Sequence, residues 1–334
     1  MTATRNRRFV APLLAMLALI AAPFAGAAVT LEDNEEKIYL WPGRTAPGSL
    51  GLGQTQAITE RSKDPSVPDR IITGVSQPYL VVYRPKRSNG TALLVTPGGS
   101  YERIVLDKEG TVLVPPFVDE GGVTLFVLRY RLPDPAHAEG ANAPLADAQR
   151  AMRLLRTRAA EWGIDPTRIG VMGFSAGGHV AASLGTRFDE SVYTPVDAYD
   201  RNSARPDFMA LVYPVIDMGE HAHGGSRVRL LSALPASAGI AAYSLQNRIT
   251  AATPPTFLLH ASDDDVVSVE NSLLFFDALR RANVPAELHV YPMGGHGFGI
   301  RGTRGLSLEE WPQLALTWMS SLQTQATTLQ RSDR

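Results

Sequence analysis

The sequence predicts an α/β fold with a mostly parallel sheet, helices on both faces and a small cap segment. Short runs rich in β-branched and large apolar residues recur from position 79 onward, and stretches with helical spacing of apolar residues lie between several of them. Strands separated by helices pair in parallel through crossovers. The runs are apolar almost throughout, which is typical of strands buried on both faces of a sheet.

The chain begins with a pattern typical of a secretory signal peptide. Arg5, Arg7 and Arg8 precede an apolar run over residues 9–23, and small residues follow it. We expect residues 1–27 to be removed by cleavage near Ala27. The alternative is an uncleaved membrane anchor, but the run is shorter than the roughly 20 residues that span a bilayer. The protein is therefore expected to be periplasmic or secreted, with no membrane association after cleavage.

The next segment, residues 28–76, is rich in Gly, Pro, Ser and Thr and is predicted to be an extended arm with turns. Residues 77–330 are expected to form one α/β domain. In that domain, apolar residues step by three or four over residues 144–162 and predict a helix. The segment 218–251 is too irregular for a core helix and is expected to form the cap. The predicted strands are residues 79–83, 92–96, 123–128, 169–174, 208–213, 256–260 and 287–291.

Composition excludes several classes of function. The chain of 334 residues carries 32 Lys and Arg against 33 Asp and Glu, whereas a protein that binds nucleic acid through phosphates is usually clearly basic. It has no cysteine, which excludes disulfides, thiolate zinc sites and a cysteine nucleophile. We therefore expect neither a nucleic-acid partner nor a thiolate metal site.

A serine motif lies between the fourth predicted strand and a stretch of small residues. Residues 173–177 read Gly-Phe-Ser-Ala-Gly, which matches G-x-S-x-G. The motif alone is weak, but a strand before it and a helix after it are the setting of a nucleophile elbow. Ser175 is therefore the candidate nucleophile, and the alternative is a tight turn with an idle serine.

A serine hydroxyl needs a histidine base that is oriented by a carboxylate, and both are expected later in the chain in the order acid, then histidine. Asp263, Asp264 and Asp265 follow the sixth predicted strand, and His296 lies between glycines after the seventh. We predict His296 as the base and favour Asp264 over Asp263 as the acid. The alternatives for the three aspartates are a solvated turn or a calcium-binding loop.

The turn after the second predicted strand is the candidate oxyanion hole. It reads Pro-Gly-Gly-Ser-Tyr, and the backbone amides of Gly99 and Ser100, with that of Ala176, are the predicted donors. Tyr101 and Arg103 follow and are weaker candidates for substrate binding, with a surface ion pair as the alternative for Arg103.

Other histidines have more ordinary interpretations. His179 lies one helical turn after the serine and is expected to be a hydrogen-bonded core residue. His221 and His223 lie in the cap segment without a third spaced ligand, so a flexible loop is favoured over a metal site. Neither a metal nor an organic cofactor is predicted.

A resemblance to a known family covers most of the chain after the signal sequence. It rests on LWPG (40–43), VTPGGSYERIVLDKEG (95–110), DAQRAMRLLRTRAAEWGIDPTRIGVMGFSAGGHVAAS (147–183), TPPTFLLHASDDDVVSVENSL (253–273) and VPAELHVYPMGGHGFG (284–299). In these blocks the chain resembles α/β-hydrolase esterases of the acetyl xylan esterase and feruloyl esterase-like type, which are often called xylanases. There are two departures: Ser100 replaces the third glycine of the family's PGGGY turn, and Val267-Ser268 stands where many relatives have Val-Pro.

The resemblance implies an α/β-hydrolase fold with Ser175 as nucleophile, His296 as base, Asp264 as acid, and Gly99, Ser100 and Ala176 as oxyanion donors. It also implies a serine esterase that removes short acyl groups, acetyl above all, from xylan-type oligosaccharides, or acts on small esters. Feruloyl or general carboxylesterase activity is the alternative. A peptidase of the prolyl oligopeptidase type or a non-catalytic binding protein is less favoured, and no oligomeric state follows.

Overall fold

The computed structural model describes residues 1–2, 36–49, 52–53, 55–232 and 234–332, with side chains at all of these except 236 and 323–332. The chain divides into two compact units, residues 1–30 and residues 31–334, and the fold below is that of the second unit. The expected signal peptide and its cleavage near Ala27 lie almost wholly outside the described residues.

Eleven strands and six α-helices are found among the described residues. The strands are β1 (Lys37–Tyr39), β2 (Ala57–Glu60), β3 (Arg70–Thr73), β4 (Tyr79–Tyr83), β5 (Ala92–Thr96), β6 (Ile104–Val105), β7 (Thr124–Arg129), β8 (Ile169–Phe174), β9 (Met209–Val212), β10 (Thr256–Ala261) and β11 (Ala286–Tyr291). The helices are α1 (Ala143–Thr157), α2 (Ser175–Thr186), α3 (Gly224–Leu231), α4 (Ala236–Tyr243), α5 (Glu270–Arg281) and α6 (Trp311–Ser332). A π-helical stretch covers Val114–Glu120.

An eight-stranded sheet forms the centre of the fold, in the order β1-β4-β7-β5-β8-β9-β10-β11. Within this order, the neighbouring strands from β7 through β5, β8, β9 and β10 to β11 pair in parallel. Strand β4 runs antiparallel to both β7 and β1. Buried apolar side chains form one cluster on each face of the sheet. The predicted α/β class with a mostly parallel sheet is therefore confirmed.

The seven predicted strands are all present, with ends that differ by at most two residues. The helix predicted over residues 144–162 is shorter: α1 ends at Thr157, and a 3-10 turn (Ala159–Trp162) follows it. Gly163 closes this turn with φ 62, a left-handed conformation that glycine adopts without strain. The chain thus reverses into β8 earlier than the apolar spacing indicates.

The segment expected as an extended arm takes part in two sheets. Strand β1 pairs with β4 at the edge of the main sheet, and β3 pairs with both β2 and β6 in a separate three-stranded sheet. The indole of Trp41 donates a hydrogen bond to the Asp147 carboxylate on α1 at 2.9 Å. That carboxylate also pairs with the buried Arg131 guanidinium, at 3.0 Å. The arm is therefore tied to α1 by buried polar contacts.

The predicted cap segment contains two short helices, α3 and α4, which the sequence reading did not anticipate. Apolar side chains of both elements, including Leu230 and Tyr243, join the larger core cluster. Among the described residues, no helix is long and apolar enough to cross a membrane.

Candidate active site

The turn from β8 into α2 holds Ser175 in a strained conformation. Its φ is 51, in the left-handed region that non-glycine residues seldom occupy. The turn is so tight that a Cβ on Gly177 would lie 2.1 Å from the Thr96 carbonyl oxygen, and a Cβ on Gly173 would lie 2.5 Å from the Gly177 carbonyl oxygen. The two glycines therefore let the elbow form, and the Ser175 side chain stands at the carboxyl end of the sheet.

Three predicted side chains form one hydrogen-bonded chain. The Oγ atom of Ser175 lies 2.9 Å from Nε2 of His296. The other ring nitrogen of His296, Nδ1, lies 2.7 Å from Oδ2 of Asp264. Because a carboxylate only accepts, Nδ1 carries the proton and Nε2 is free to accept one from the serine. The side chain of His296 remains 18% exposed while Asp264 is buried, so the base stands at the surface end of the pair.

The Asp264 carboxylate is held by further donors. Its Oδ1 accepts the amides of Val266 and Val267, at 3.0 and 2.8 Å, and Oδ2 also lies 3.2 Å from Nε2 of His260. Burial would raise the pKa of Asp264, but the hydrogen bonds from His260 and His296 outweigh it and hold that pKa well below its usual range. The carboxylate is thus ionised wherever the imidazole works as a base.

Asp263 has a different task from its neighbour. Its carboxylate accepts the amides of Gly294 and Gly295, at 3.3 and 2.8 Å, in the loop that carries His296. The structure therefore places Asp264 at the His296 ring and Asp263 at its loop backbone.

The predicted oxyanion turn lies beside the elbow. A Cβ on Gly98 would lie 2.9 Å from Cβ of Ser175, so the turn passes directly by the serine. The next three residues, Gly99, Ser100 and Tyr101, have φ values of 133, 59 and 59. Ala176 is the second residue of α2, and the first four amides of a helix lack an intrahelical acceptor. The structure thus gathers the predicted donors near Ser175, and their role remains a prediction.

The side chain of Tyr101 is buried against the elbow helix and does not line an open cleft. Its side chain is only 3% exposed, and its hydroxyl lies 2.7 Å from Nδ1 of His179. The other nitrogen of His179 lies 2.8 Å from the Tyr243 carbonyl in the cap, which can only accept. Nε2 therefore carries the proton, and Nδ1 accepts from the tyrosine. His179 is the expected buried core histidine, and burial lowers its pKa to about 4.

The alternative for Arg103 agrees with the structure, where its guanidinium forms an ion pair with Glu102 at 3.4 Å. Glu102 also pairs with Arg229 of α3 at 2.6 Å, so the cap is bridged to the oxyanion turn. Substrate binding by Arg103 stays a prediction.

His223, one of the two cap histidines, has a structural role. His223 caps the N-terminus of α3, where its Nδ1 accepts the Ser226 amide. Burial lowers the pKa of His223, and the nearby charge of His296 lowers it further. Within the described part of the chain, no group of three or more His, Asp or Glu side chains is arranged to hold a metal ion.

Sequence reasoning missed three buried polar residues that contact the site. Glu109 accepts the Gly98 amide, Tyr213 packs edge-on against the His296 ring at 5.1 Å between centroids, and His260 contacts Asp264. Tyr213 and His260 lie at the carboxyl ends of parallel strands, where functional residues of open α/β sheets gather, and that position was the available signal. Glu109 follows β6 and had no comparable signal.

A serine on a strand–turn–helix elbow, joined to a histidine and an aspartate at the ends of later strands, defines an α/β-hydrolase, and the expected resemblance to esterases of this fold is confirmed. The protein-family model BD-FAE matches residues 82–279. The chain therefore belongs to the BD-FAE family.

Two curated relatives are much longer than this chain. Endo-1,4-beta-xylanase B of Butyrivibrio fibrisolvens is 38% identical over 212 residues, which cover 62% of this chain and 32% of that protein. An acetylxylan esterase of Xylanibacter ruminicola is 34% identical over 226 residues, 66% of this chain and 44% of that protein. The chain thus spans less than half of either relative.

A solved structure matches more completely. The acetyl ester-xyloside bifunctional hydrolase from Caldicellulosiruptor lactoaceticus is 37% identical, with a TM-score of 0.70, and the match covers 86% of this chain and 96% of that one. The carboxylesterase Cest-2923 from Lactobacillus plantarum has a TM-score of 0.59 at 22% identity and supports the fold alone.

Proposed function

We propose that this protein is a serine carbohydrate esterase that removes short acyl groups, acetyl first, from xylan-type oligosaccharides. The observation that carries the proposal is the continuous chain from Ser175 Oγ through His296 to Asp264, at 2.9 and 2.7 Å. Both distances are within hydrogen-bonding range, and the proton positions suit general base catalysis.

The reaction proceeds in two halves. Ser175 Oγ attacks the ester carbonyl while His296 Nε2 takes its proton, and Asp264 holds the imidazolium that forms. His296 then gives the proton to the departing sugar oxygen, which leaves an acyl-serine. Water attacks the acyl-serine with His296 again as base, and the proton returns to Ser175 as the acid is released. The amides of Gly99, Ser100 and Ala176 bind the oxyanion in both halves.

Support for the substrate class comes from the relatives. The Xylanibacter protein is named an acetylxylan esterase, and the Caldicellulosiruptor structure is called an acetyl ester-xyloside bifunctional hydrolase. Both names combine an acetyl ester with a xylose-containing sugar. We also propose export, with cleavage near Ala27, on the strength of the basic, apolar and small-residue pattern of residues 1–27.

The nucleophile is tested by hydrolysis of p-nitrophenyl acetate and by labelling with a fluorophosphonate. Ser175→Ala should abolish labelling and lower kcat by about 10⁶-fold, as loss of a serine nucleophile does in such triads. Ser183→Ala, a second buried serine on α2, is the matched control and should keep both. An unchanged rate in Ser175→Ala would refute the proposal.

The substrate class is tested by product release from acetylated xylooligosaccharides, feruloylated arabinoxylan fragments and a proline-containing dipeptide amide. We expect acetate release with the highest kcat/KM. Preferred ferulate release would support a feruloyl esterase, and amide cleavage alone would support the peptidase.

Export is tested by the mass of the protein from the periplasm or medium, since retention of residues 1–27 would refute cleavage.

A further inference from the structure

Glu109 is a buried carboxyl group that the proposed mechanism does not use, although it lies directly behind the oxyanion turn. It is 4% exposed, and its Oε2 accepts the Gly98 amide at 2.6 Å. A Cβ on Gly98 would lie 2.9 Å from this oxygen and 2.9 Å from Cβ of Ser175. Only the backbone of one glycine therefore separates Glu109 from the serine.

The second oxygen of Glu109 connects the turn to the histidine loop. Oε1 accepts the hydroxyl of Tyr213 at 3.1 Å, and that hydroxyl in turn accepts the Gly299 amide at 3.2 Å. The Tyr213 ring also packs against His296. One carboxyl group thus joins the oxyanion turn, the end of β9 and the loop that carries the base.

This contact determines which amides of the turn are available. The Gly98 amide is occupied by Glu109, while the Gly99 carbonyl accepts the amides of Glu102 and Arg103. Within the described part of the chain, the amides of Gly99 and Ser100 have no protein acceptor. The turn is therefore fixed from behind with two donors free, which is the preorganisation that an oxyanion hole requires.

We propose that Glu109 is a positioning residue that sets the oxyanion turn against the histidine loop by its reach, through two accepted hydrogen bonds. The proposal rests on the proposed esterase function. The decisive property is the length of the side chain, because the carboxyl group must reach the Gly98 amide with one oxygen and the Tyr213 hydroxyl with the other.

Two substitutions separate reach from charge. Glu109→Gln keeps the length: its oxygen can accept the Gly98 amide, and its NH₂ can donate to the Tyr213 hydroxyl oxygen, which still accepts from Gly299, while the hydroxyl proton loses its acceptor and Tm should fall. Glu109→Asp keeps the charge but is one methylene shorter and cannot meet both donors. Glu109→Gln should keep kcat for p-nitrophenyl acetate within about threefold, and Glu109→Asp should lower kcat and kcat/KM equally, by about 10–100-fold, as loss of a transition-state contact does.

Fluorophosphonate titration counts the molecules with a reactive serine, so each kcat is expressed per active site. A merely structural role would lower the active fraction or the Tm without changing kcat per site. Asp107→Asn is the matched control, because Asp107 is a buried acid two residues earlier that pairs with Arg70 in the three-stranded sheet. It should lower Tm and leave kcat per site unchanged.

Equal kcat values in the Gln and Asp variants, or a larger loss in Gln than in Asp, would overturn the inference. If the wild type neither hydrolyses esters nor takes up the fluorophosphonate, the proposed function itself fails. The two failures are therefore distinguishable in the same experiment.

Discussion

Replacement of Asp264 by Asn should stop catalysis by changing the tautomer of His296. The Asp264 carboxylate accepts four N–H groups: His296 and His260 at Oδ2, and Val266 and Val267 at Oδ1. The Asn side chain has only one acceptor oxygen. If that oxygen faced His296, both backbone amides would face an NH₂ group, at a cost of about 1–3 kcal/mol each.

The opposite orientation of the Asn amide costs less. Its oxygen then serves Val266 and Val267, while His260 keeps its bond to the Val267 carbonyl at 2.9 Å. The NH₂ group donates to Nδ1 of His296, which moves the ring proton to Nε2, where it blocks acceptance of the serine proton. We expect kcat to fall about 10⁴-fold, as in other triads with this change, and the free energy of unfolding by about 1–3 kcal/mol.

The assay is kcat for p-nitrophenyl acetate, with urea unfolding in parallel. Asp263→Asn is the control: its exposed carboxylate accepts the Gly295 amide at 2.8 Å and the Gly294 amide at 3.3 Å, and the Asn oxygen can keep the shorter bond while water can replace the longer one. Asp263→Asn should retain kcat within about tenfold. A tenfold or smaller loss in Asp264→Asn, or equal losses in both variants, would refute the tautomer argument.

Three further predictions concern stability. Gly177→Ala should lower the free energy of unfolding in urea by about 1–3 kcal/mol or more, because the new Cβ would lie 2.1 Å from the carbonyl of Thr96 in β5. The pKa of His179 is about 4 in the folded protein against 6.5 ordinarily, so the unfolded chain binds the proton first on acidification, and about 3 kcal/mol of stability that is present above pH 6.5 should disappear as the pH falls to 4. Arg131→Met should cost about 3–5 kcal/mol in urea, because it leaves Asp147 and Glu139 buried without their cation.

Each of these has a contradicting result. Unfolding of Gly177→Ala at the wild-type urea midpoint would mean that the elbow can widen. His179→Gln should unfold with a shallower pH dependence between 6.5 and 4, and an unchanged slope would assign the effect elsewhere. Wild-type stability in Arg131→Met would mean that water reaches the two carboxylates.

The length of a strand and the continuity of its apolar run decided whether it could be predicted from the sequence. Six of the seven predicted strands, β4, β5, β7, β8, β9 and β10, are mostly apolar runs of four to six residues, which identify a sheet buried on both faces, while the seventh, β11, is an edge strand that carries Glu287 and His289. Strands β1, β2, β3 and β6 have two to four residues, too few for an alternating pattern to stand out among glycines and prolines. The cap helices α3 and α4 were missed because they are short and lie in a segment whose apolar residues are irregularly spaced.

The residues of the candidate site also divide into those that could be predicted from the sequence and those that could not. Ser175, Asp264 and His296 lie within five residues of the carboxyl ends of β8, β10 and β11, so their meeting at one sheet edge follows from parallel pairing. The roles of Glu109 and Tyr101 depend instead on contacts with residues distant in sequence: Glu109 meets Tyr213 across 104 residues, and Tyr101 meets His179 across 78. Spacing in the sequence carries no information about such pairs.

The link between the cap and the elbow helix has a consequence for how this protein can diversify. His179 donates to the main-chain carbonyl of position 243, and not to a side chain. Any residue at that position supplies the same acceptor as long as the end of α4 keeps its path. Cap side chains can therefore be exchanged, by natural drift or by directed libraries, while the hydrogen bond that reaches Tyr101 behind the oxyanion turn is inherited unchanged.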